Sequence, residues 1–386
     1  MQRIKIEERP YWREMADQSG FIYHTINGEP YWDETAYYAF TLEQIERDLE
    51  APSEELHQLC LELVARAVRD EEILTRLAIP RAAWDAVRES YFRNDATLYG
   101  RFDFSYNGEK PAKLLEYNAD TPTSLFEAAS FQWAWLEDLL AQGQLPKGSD
   151  QFNSIHDKLC TVLRTIARRR KVFGSSYEES DEDTGTVSYI LECAALSGLE
   201  TGFVPINQIG LLDDGYFCDA HDEPISLLFK LYPWEWMFQD SYAPDLALTP
   251  TRFLEPPWKA ILSNKGILPL LWQMEPGHPN LLPAFFEDDP HKFELGADFV
   301  KKPLFSREGA NILLIKGEQV MDSGSGNYGQ EGYIRQAASL LPCFDGHYPV
   351  IGSWIIGNEA AGIGIREDKT LVTRDTSRFL PHIISA

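Results

Sequence analysis

Positive charge, paired cysteines and long apolar runs are all scarce in this sequence. The 386 residues include 35 Lys and Arg against 60 Asp and Glu, giving a formal net charge of −25. Nucleic acids and anionic membranes are therefore not expected partners, because their phosphates select for clustered positive side chains. No stretch approaches the roughly 20 apolar residues of a membrane helix, and the charged N-terminal segment lacks the apolar core of a signal peptide.

The five cysteines are scattered and never spaced Cys-x-x-Cys. This pattern argues against a disulfide framework or a structural zinc site. Internal repeats, low-complexity segments, a P-loop and a Rossmann fingerprint are also missing. We therefore expect a soluble, cytoplasmic protein with reduced thiols.

What is present is a long chain with 44% hydrophobic residues, enough for two or three lobes with substantial cores. Helical spacing dominates the first part, a βαβ-like cadence runs from about 171 to 230, and short strands dominate the end. This order predicts an α/β (α+β) protein. Approximate lobes are 1–170, 171–254 and 255–386. Within the helical region, Pro52 predicts a break between two helices.

The stretch from Tyr99 to Ser124 reads YGRFDFSYNGEKPAKLLEYNADTPTS and predicts a β-hairpin. Side chains two apart on a strand share a face, so Arg101 lies beside Asp103, and Glu116 beside Asn118. Pairing the two runs gathers oxygen ligands that suit Mg²⁺ and an arginine that can face phosphoryl oxygens. A salt-bridged surface hairpin is the alternative, and this stretch alone favours neither.

Three other segments carry candidate chemistry. The acidic run 178–183 opens a helix, where it either complements the helix dipole or binds a cationic substrate. The aromatic segment 228–238 lines a pocket or forms a core corner. Two strands within 299–315 flank a Ser-Arg-Glu-Gly-Ala loop with Lys302 beside it, an arrangement that can close over a triphosphate.

Five motifs in this order resemble the ATP-grasp ligases of the glutathionylspermidine synthetase family, in particular the shorter bacterial members that lack the amidase domain. They are GRFDF (Gly100 to Phe104), LLEYNADTPTSL (Leu114 to Leu125), SNKGILPLLW (Ser263 to Trp272), KPLFSREGANI (Lys302 to Ile312) and GIGIRED (Gly362 to Asp368). The resemblance covers essentially the whole chain. It implies an ATP-grasp fold with an inserted α/β substrate subdomain, and ATP and Mg²⁺ as cofactors.

The resemblance also implies roles for particular residues. Arg101 would match the arginine that stabilises the transferring phosphoryl group and the tetrahedral intermediate. Asp103, Glu116 and Asn118 would match the Mg²⁺ ligands. The residues that would contact ATP are Arg101, Phe102, Asp103, Lys265, Lys302, Gly309, Gln336 and Leu371.

On the substrate side, Thr121 and Thr123 stand where glutathionylspermidine synthetases carry serines that hold the thiol peptide. This departure leaves open whether glutathione is the acid. Glu182 and Asp183 fall near the family's acidic pair, which would face a substrate ammonium group.

The resulting hypothesis is an ATP-dependent carboxylate–amine ligase acting through an acyl phosphate. Its partners would be a small-molecule carboxylate and an amine, for which a peptide and a polyamine are candidates. A kinase or ATPase of the same fold and a non-catalytic nucleotide-binding protein are the alternatives. A peptidase or amidase has little support, because no cysteine lies beside a credible histidine partner in the sequence.

Overall fold

The computed structural model describes residues 1–26, 28–307, 309–317, 319–374 and 377–385. The elements of the first part are, in order, β1 (Gln2–Lys5), α1 (Trp12–Gln18), β2 (Thr25–Ile26), β3 (Glu29–Pro30), β4 (Ala36–Phe40), α2 (Leu42–Ile45), α3 (Ala51–Ala67), α4 (Glu71–Arg76), α5 (Trp84–Phe92), β5 (Tyr99–Ser105), β6 (Lys113–Asn118), α6 (Gln132–Ala141) and α7 (Ile155–Ala167).

The middle part is an α/β unit, as the βαβ-like cadence predicts. Its elements are β7 (Val172–Ser175), α8 (Asp181–Leu196), β8 (Thr201–Phe203), β9 (Gly210–Leu211), β10 (Phe217–Cys218), β11 (Leu227–Lys230), α9 (Trp234–Met237) and β12 (Arg252–Leu254). Strands β12, β11, β7 and β8 form a parallel sheet in that order. Such pairing requires crossover connections, and α8 supplies one between β7 and β8.

The last part is mainly strands. Its elements are α10 (Ile267–Met274), β13 (Ala284–Phe286), β14 (Phe299–Pro303), β15 (Leu313–Lys316), β16 (Gln319–Ser323), β17 (Tyr333–Ala337), β18 (Tyr348–Ile356), β19 (Glu359–Asp368), β20 (Arg378–Leu380) and β21 (His382–Ile384). Within the described residues, no helix is both long enough and apolar enough to cross a bilayer.

Two antiparallel five-stranded sheets organise the fold. One has the order β20-β19-β18-β5-β6, and the other β13-β17-β14-β15-β16. The first sheet joins the predicted hairpin to strands more than 200 residues later, since β18 pairs with β5. The lobe boundaries 1–170, 171–254 and 255–386 stay a prediction, but this pairing hydrogen-bonds the end of the last range to the first.

The predicted hairpin is present, and its register places the four candidate side chains on one face, as predicted. Arg101 lies opposite Asn118, and Asp103 lies opposite Glu116. All of β5 is buried, because β18 covers one edge, β6 covers the other, and helices pack on the sheet.

The predicted break at Pro52 is wrong. The helical backbone continues from α2 to α3 through a π-helical turn, Glu46–Glu50. Proline removes the hydrogen bond to the carbonyl four residues earlier. The wider turn just before it accommodates that loss, and Pro52 takes a first-turn position of α3, where proline is tolerated.

Candidate active site

A cavity of about 510 Å³ lies between the two five-stranded sheets and the α/β unit. With the exception of Phe102, it collects every site residue that the sequence singles out. Those lining it are Arg101, Asp103, Glu116, Asn118, Thr121, Thr123, Glu182, Asp183, Lys265, Lys302, Gly309, Gln336 and Leu371. Arg101 and Leu371, which are 270 positions apart in the chain, therefore share one site.

The Phe102 side chain lies on the other face of the hairpin. It is fully buried and stacks on Tyr117, with ring centroids 3.9 Å apart. Alternation along the strand requires this, because Arg101 and Asp103 point into the cavity. Phe102 can thus meet a nucleotide only through its backbone.

Arg101 is locked in place by hydrogen bonds. Its Nε and Nη2 donate to the two carboxylate oxygens of Asp103, at 2.6 and 3.1 Å, and its Nη1 donates to the Thr123 carbonyl at 2.7 Å. Gly352 on β18 makes room for this side chain, since a Cβ there would lie 2.7 Å from the Arg101 Cδ. A fork–fork pair of this kind fixes the guanidinium plane as well as its position.

Three oxygen-bearing side chains converge beside this arginine. Asp103 also accepts from the Asn118 amide at 3.2 Å and from Arg366 at 3.3 Å, and Glu116 is its cross-strand neighbour. Two carboxylates and an amide oxygen are the donor types that Mg²⁺ prefers. Rotation of the Asn118 amide would present its oxygen. The residues present therefore fit a magnesium ion.

Two lysines stand on the opposite wall of the cavity. Lys265 Nζ lies 2.9 Å from a Glu116 oxygen and donates to the Ser306 carbonyl at 2.8 Å. Lys302 Nζ donates to the Leu115 carbonyl and to Gln336 Oε1, at 2.7 and 2.8 Å. Gln336 in turn donates to the Leu114 carbonyl at 3.0 Å. The hairpin and the second sheet are thus joined through these side chains.

The charges in this group set one another's pKa. Burial opposes ionisation of Glu116, but Lys265 and Lys302 outweigh it and hold its pKa at about 2. Burial lowers the pKa of Lys302 to about 8, against the opposing pull of Glu116. The site therefore holds a fixed carboxylate beside ammonium groups that can meet phosphate oxygens.

Gly309 and Leu371 form one rim of the cavity. Gly309 has a φ of +73°, and a Cβ there would lie 2.5 Å from the Thr373 carbonyl oxygen. Glycine is required on both grounds. The Leu371 backbone N–H donates to Asp322 at 3.0 Å, which ties this segment to β16.

The far end of the cavity carries both a positively charged side chain and acidic side chains. Arg307 donates to the Thr121 hydroxyl, lies 3.8 Å from a Glu235 oxygen and sits over the Trp236 ring. Glu182 and Asp183 line the same region from the first turn of α8. Burial raises the pKa of both Glu235 and Asp183. Such an end can accept an anionic group near the arginine and a cationic group near the carboxylates.

The hairpin end is fastened to the α/β unit. Asp120 accepts from Lys230 Nζ at 2.6 Å and from the Trp234 backbone N–H at 2.9 Å. Both side chains of this ion pair are essentially inaccessible to solvent. This contact fixes where the carboxylates of the α/β unit stand relative to Arg101.

Sequence reasoning missed Glu235 as a site residue and gave Arg307 no role of its own, whereas it placed Arg366 at a turn where charge can meet phosphate and metal. Glu235 lies in the aromatic segment 228–238, which is both core and pocket: Trp234 is buried while Trp236 lines the cavity. The one usable signal was a carboxylate between two aromatic residues. Arg307 and Arg366 stand inside quoted motifs.

The structure also brings together a histidine and two cysteines that the sequence did not connect. His156 lies 3.8 Å from the Cys160 sulfur through Nε2 and 3.7 Å from the Cys193 sulfur through Nδ1. One metal ion binds one ring nitrogen, so thiols on opposite nitrogens do not suit a zinc centre. Burial raises the pKa of Cys193, whereas a nucleophilic cysteine needs a lowered one.

Comparison with solved structures supports the fold. The chain resembles a glutathione synthetase-like effector from Globodera pallida with a TM-score of 0.53, 11% sequence identity and 98% coverage of each chain. The architecture is therefore ATP-grasp-like.

Comparison with known sequences gives the family. The family described as "Glutathionylspermidine synthase preATP-grasp" matches residues 3–385. A Haemophilus influenzae protein named "Putative acid–amine ligase" is 40% identical, with 94% of each chain covered. Trypanothione synthetase of Crithidia fasciculata is 30% identical over 84% of this chain and 53% of its own length. The bifunctional glutathionylspermidine synthetase/amidase of Escherichia coli is 26% identical over 93% of this chain and 60% of its own length. The chain belongs to the glutathionylspermidine synthase family and is an acid–amine ligase, an enzyme that forms a carbon–nitrogen bond.

Proposed function

We propose that this ligase uses ATP and Mg²⁺ to activate a substrate carboxylate as an acyl phosphate, which an amine then converts to an amide. The observation that carries the proposal is the convergence of Arg101, Asp103, Glu116, Lys265 and Lys302 in one cavity. Cationic side chains that face a pair of carboxylates suit a magnesium nucleotide.

Each phosphate-side residue has a distinct task in this scheme. Lys265 and Lys302 bind phosphate oxygens, and Gly309 lets its loop approach the nucleotide. Asp103, Glu116 and Asn118 would hold Mg²⁺, which neutralises charge on the phosphates when it is bound. Leu371 and Gln336 border the nucleotide.

Arg101 acts where charge develops. The substrate carboxylate attacks the terminal phosphorus of ATP, the bond to the bridging oxygen breaks, and ADP leaves. The amine nitrogen then attacks the acyl carbon, and phosphate departs. A guanidinium fixed by Asp103 and the Thr123 carbonyl stabilises the transferring phosphoryl group without reorganising during reaction.

The substrates follow from the far end of the cavity. The acid would lie near Thr121, Thr123 and Arg307, whose guanidinium can pair with a carboxylate. The amine would lie near Glu182, Asp183 and Glu235. Relatives named trypanothione synthetase and glutathionylspermidine synthetase make a peptide acid and a polyamine the first compounds to try.

The test is ADP release from purified protein with Mg²⁺-ATP across carboxylates crossed with polyamines and amino acids, with mass spectrometry of the products. We expect one pair to stimulate ADP release and to give a mass equal to acid plus amine minus water. Glu116→Gln is the matched variant, since it keeps the shape of the site and removes one charge. ADP release by this variant should need a higher Mg²⁺ concentration than release by wild type.

Two results would contradict the proposal. Failure of the wild type to bind Mg²⁺-ATP would mean that the lysine and magnesium assignments are wrong. ADP release that depends on the acid and yields a phosphorylated product without amide would mean that the amine step is wrong.

A further inference from the structure

A fully buried carboxyl group, that of Glu127, lies near the far end of the cavity, where we propose that the amine binds. Glu127 begins a π-helical turn, Glu127–Phe131, and is 0% exposed. Within the described chain, neither of its carboxyl oxygens has a hydrogen-bond partner of good geometry, and the same holds for the buried Tyr23 hydroxyl. Buried polar groups are normally paired, so a convergence of unpaired ones calls for a function.

The neighbours of Glu127 connect it to the cavity. Glu182 and Arg101 act on it electrostatically, and both line the cavity wall. The Tyr31 hydroxyl adjoins it and is hydrogen-bonded to Ser124 Oγ at 2.9 Å. Ser124 directly follows Thr123, which lines the cavity. A hydrogen bond between two hydroxyl groups therefore joins a neighbour of the buried carboxyl to the residue that follows the cavity-lining Thr123.

No cation of the described residues forms an ion pair with Glu127. Besides α6, which continues the same helix, β19 and α7 pack on its turn, and none of their titratable groups forms an ion pair with Glu127 in the described structure. Arg366 contacts Asp103, Glu367 pairs with Arg3, and His156 lies between two thiols. Tyr23, Tyr31, Glu182 and Arg101 are thus the groups that face it.

This environment changes the proton affinity of the carboxyl. Burial, followed by the charge of Glu182, raises the pKa of Glu127 to about 8. In its ionised form, which predominates above about pH 8, such a carboxylate accepts a proton from an amine far more readily than an exposed one, because proton-transfer efficiency depends on the match of pKa values.

We propose that Glu127 is the proton acceptor for the amine substrate, reached through the hydroxyl groups of Tyr31 and Ser124. The inference rests on the ligase function proposed above. An ammonium group has no free electron pair and cannot attack. One N–H proton passes to the hydroxyl chain, which delivers a proton to Glu127. The nitrogen keeps the electron pair and bonds to the acyl carbon, the carbon–oxygen bond to phosphate breaks, and the second N–H proton leaves with phosphate.

The kinetic test compares two nucleophiles, with glutathione as the acid and Mg²⁺-ATP present. Spermidine must lose a proton before it attacks, whereas hydroxylamine is already unprotonated at pH 7. In Glu127→Gln, we expect the rate of spermidine-dependent ADP release to fall by a factor on the order of 10². We also expect the increase of this rate between pH 6 and pH 8 to become smaller than in wild type. Hydroxylamine-dependent release should match wild type. Tyr31→Phe, which interrupts the chain, should behave in the same way. Equal losses with both nucleophiles would overturn the inference in favour of a structural role.

A second measurement needs no turnover. Infrared difference spectra between wild type and Glu127→Gln isolate the protonated carboxyl band of this one residue. We expect the band at pH 6, its loss with a midpoint near pH 8, and a lower midpoint when spermidine is added. A band that is absent at pH 6, or unmoved by spermidine, would overturn the inference. Wild type that shows these changes but no ADP release with any acid would instead contradict the ligase proposal.

Discussion

At the scale of single residues, the site depends on charges that would be unstable alone. Glu116 stays ionised in a buried position because Lys265, Lys302 and, to a smaller extent, Arg101 face it. Removing one member leaves the others uncompensated, which destabilises more than the pair itself stabilises. Substitutions here should therefore preserve shape, and their effects should be read from nucleotide and metal dependence as well as from turnover.

Arg101→Ala should lower turnover by on the order of 10² or more while ATP affinity falls only modestly, because in the proposed reaction the guanidinium acts where charge develops. Steady-state ADP release and nucleotide titration measure the two effects. Arg13→Ala is the control, since Arg13 is exposed and contacts Glu8 and the Trp12 ring, neither of which lines the cavity. Full turnover in Arg101→Ala would show that another cation carries this role.

Glu116→Gln should raise the Mg²⁺ concentration needed for half-maximal ADP release. The carboxylate is one of the three oxygen ligands that we propose for the ion, and its amide counterpart is a weaker donor to a hard cation. Magnesium titrations at saturating ATP measure the change. An unaltered magnesium dependence would place the ion elsewhere in the cavity.

The stability of Glu127→Gln relative to wild type should change with pH. The folded-state pKa of about 8 lies above the unfolded value, so between them the native state holds the extra proton. The contribution of this carboxyl is complete below the unfolded pKa and is lost as pH rises through about 8. Glutamine does not titrate. The unfolding free energy of Glu127→Gln should therefore rise relative to that of wild type by on the order of 1 kcal/mol per pH unit between the unfolded and the folded pKa of Glu127. Urea unfolding at pH 5 and pH 9 tests this, and a constant difference would contradict it.

At the scale of elements, the strand β18 matters as much as the hairpin it covers. Gly352 lies opposite Asp103, and its missing side chain is what lets Arg101 reach both carboxylate oxygens. A strand that contributes no charged side chain to the site thus shapes its most constrained cation.

Gly352→Ala should lower turnover strongly, because a Cβ 2.7 Å from the Arg101 Cδ displaces the guanidinium. Ile351→Val on the same strand is the control. It removes a buried methyl group, which costs about 1 kcal/mol of stability, but it does not reach Arg101. The ratio of turnover loss to stability loss separates the two variants, and equal ratios would mean that the effect is general weakening of the sheet.

The elements also show what the sequence could predict. The hairpin register follows from local alternation and a turn, so Arg101, Asp103, Glu116 and Asn118 could be placed together in advance. The same alternation should have excluded the Phe102 side chain from the residues predicted to contact ATP, because it places that side chain on the opposite face of the strand. Pairing of β18 with β5 spans more than 200 residues and leaves no local pattern. Glu127 and the contact between His156 and Cys193 depend on such distant packing, whereas His156 and Cys160 are four residues apart on α7 and could have been paired from helical spacing.

At the scale of the whole molecule, the α/β unit meets the hairpin at a buried ion pair, Asp120 with Lys230. Burial lowers the pKa of Lys230, and the charge of Asp120 opposes this most strongly, followed by the charges of Glu235 and Glu255. The pair contributes little net stability, because desolvation cancels much of the attraction. We expect its value to be positional, since it joins the unit that carries Glu182 and Asp183 to the hairpin that carries Arg101.

A double-mutant comparison tests this positional role. Asp120→Ala should destabilise the protein by about 3–5 kcal/mol, because it leaves Lys230 buried without a partner. Asp120→Asn combined with Lys230→Met removes both charges at similar volume and should recover most of that stability in urea unfolding. If the pair sets geometry, the double variant should still show an increased KM for the amine while its affinity for Mg²⁺-ATP stays near that of wild type. A double variant with wild-type amine kinetics would show that packing around Trp234 is enough to align the two halves of the site.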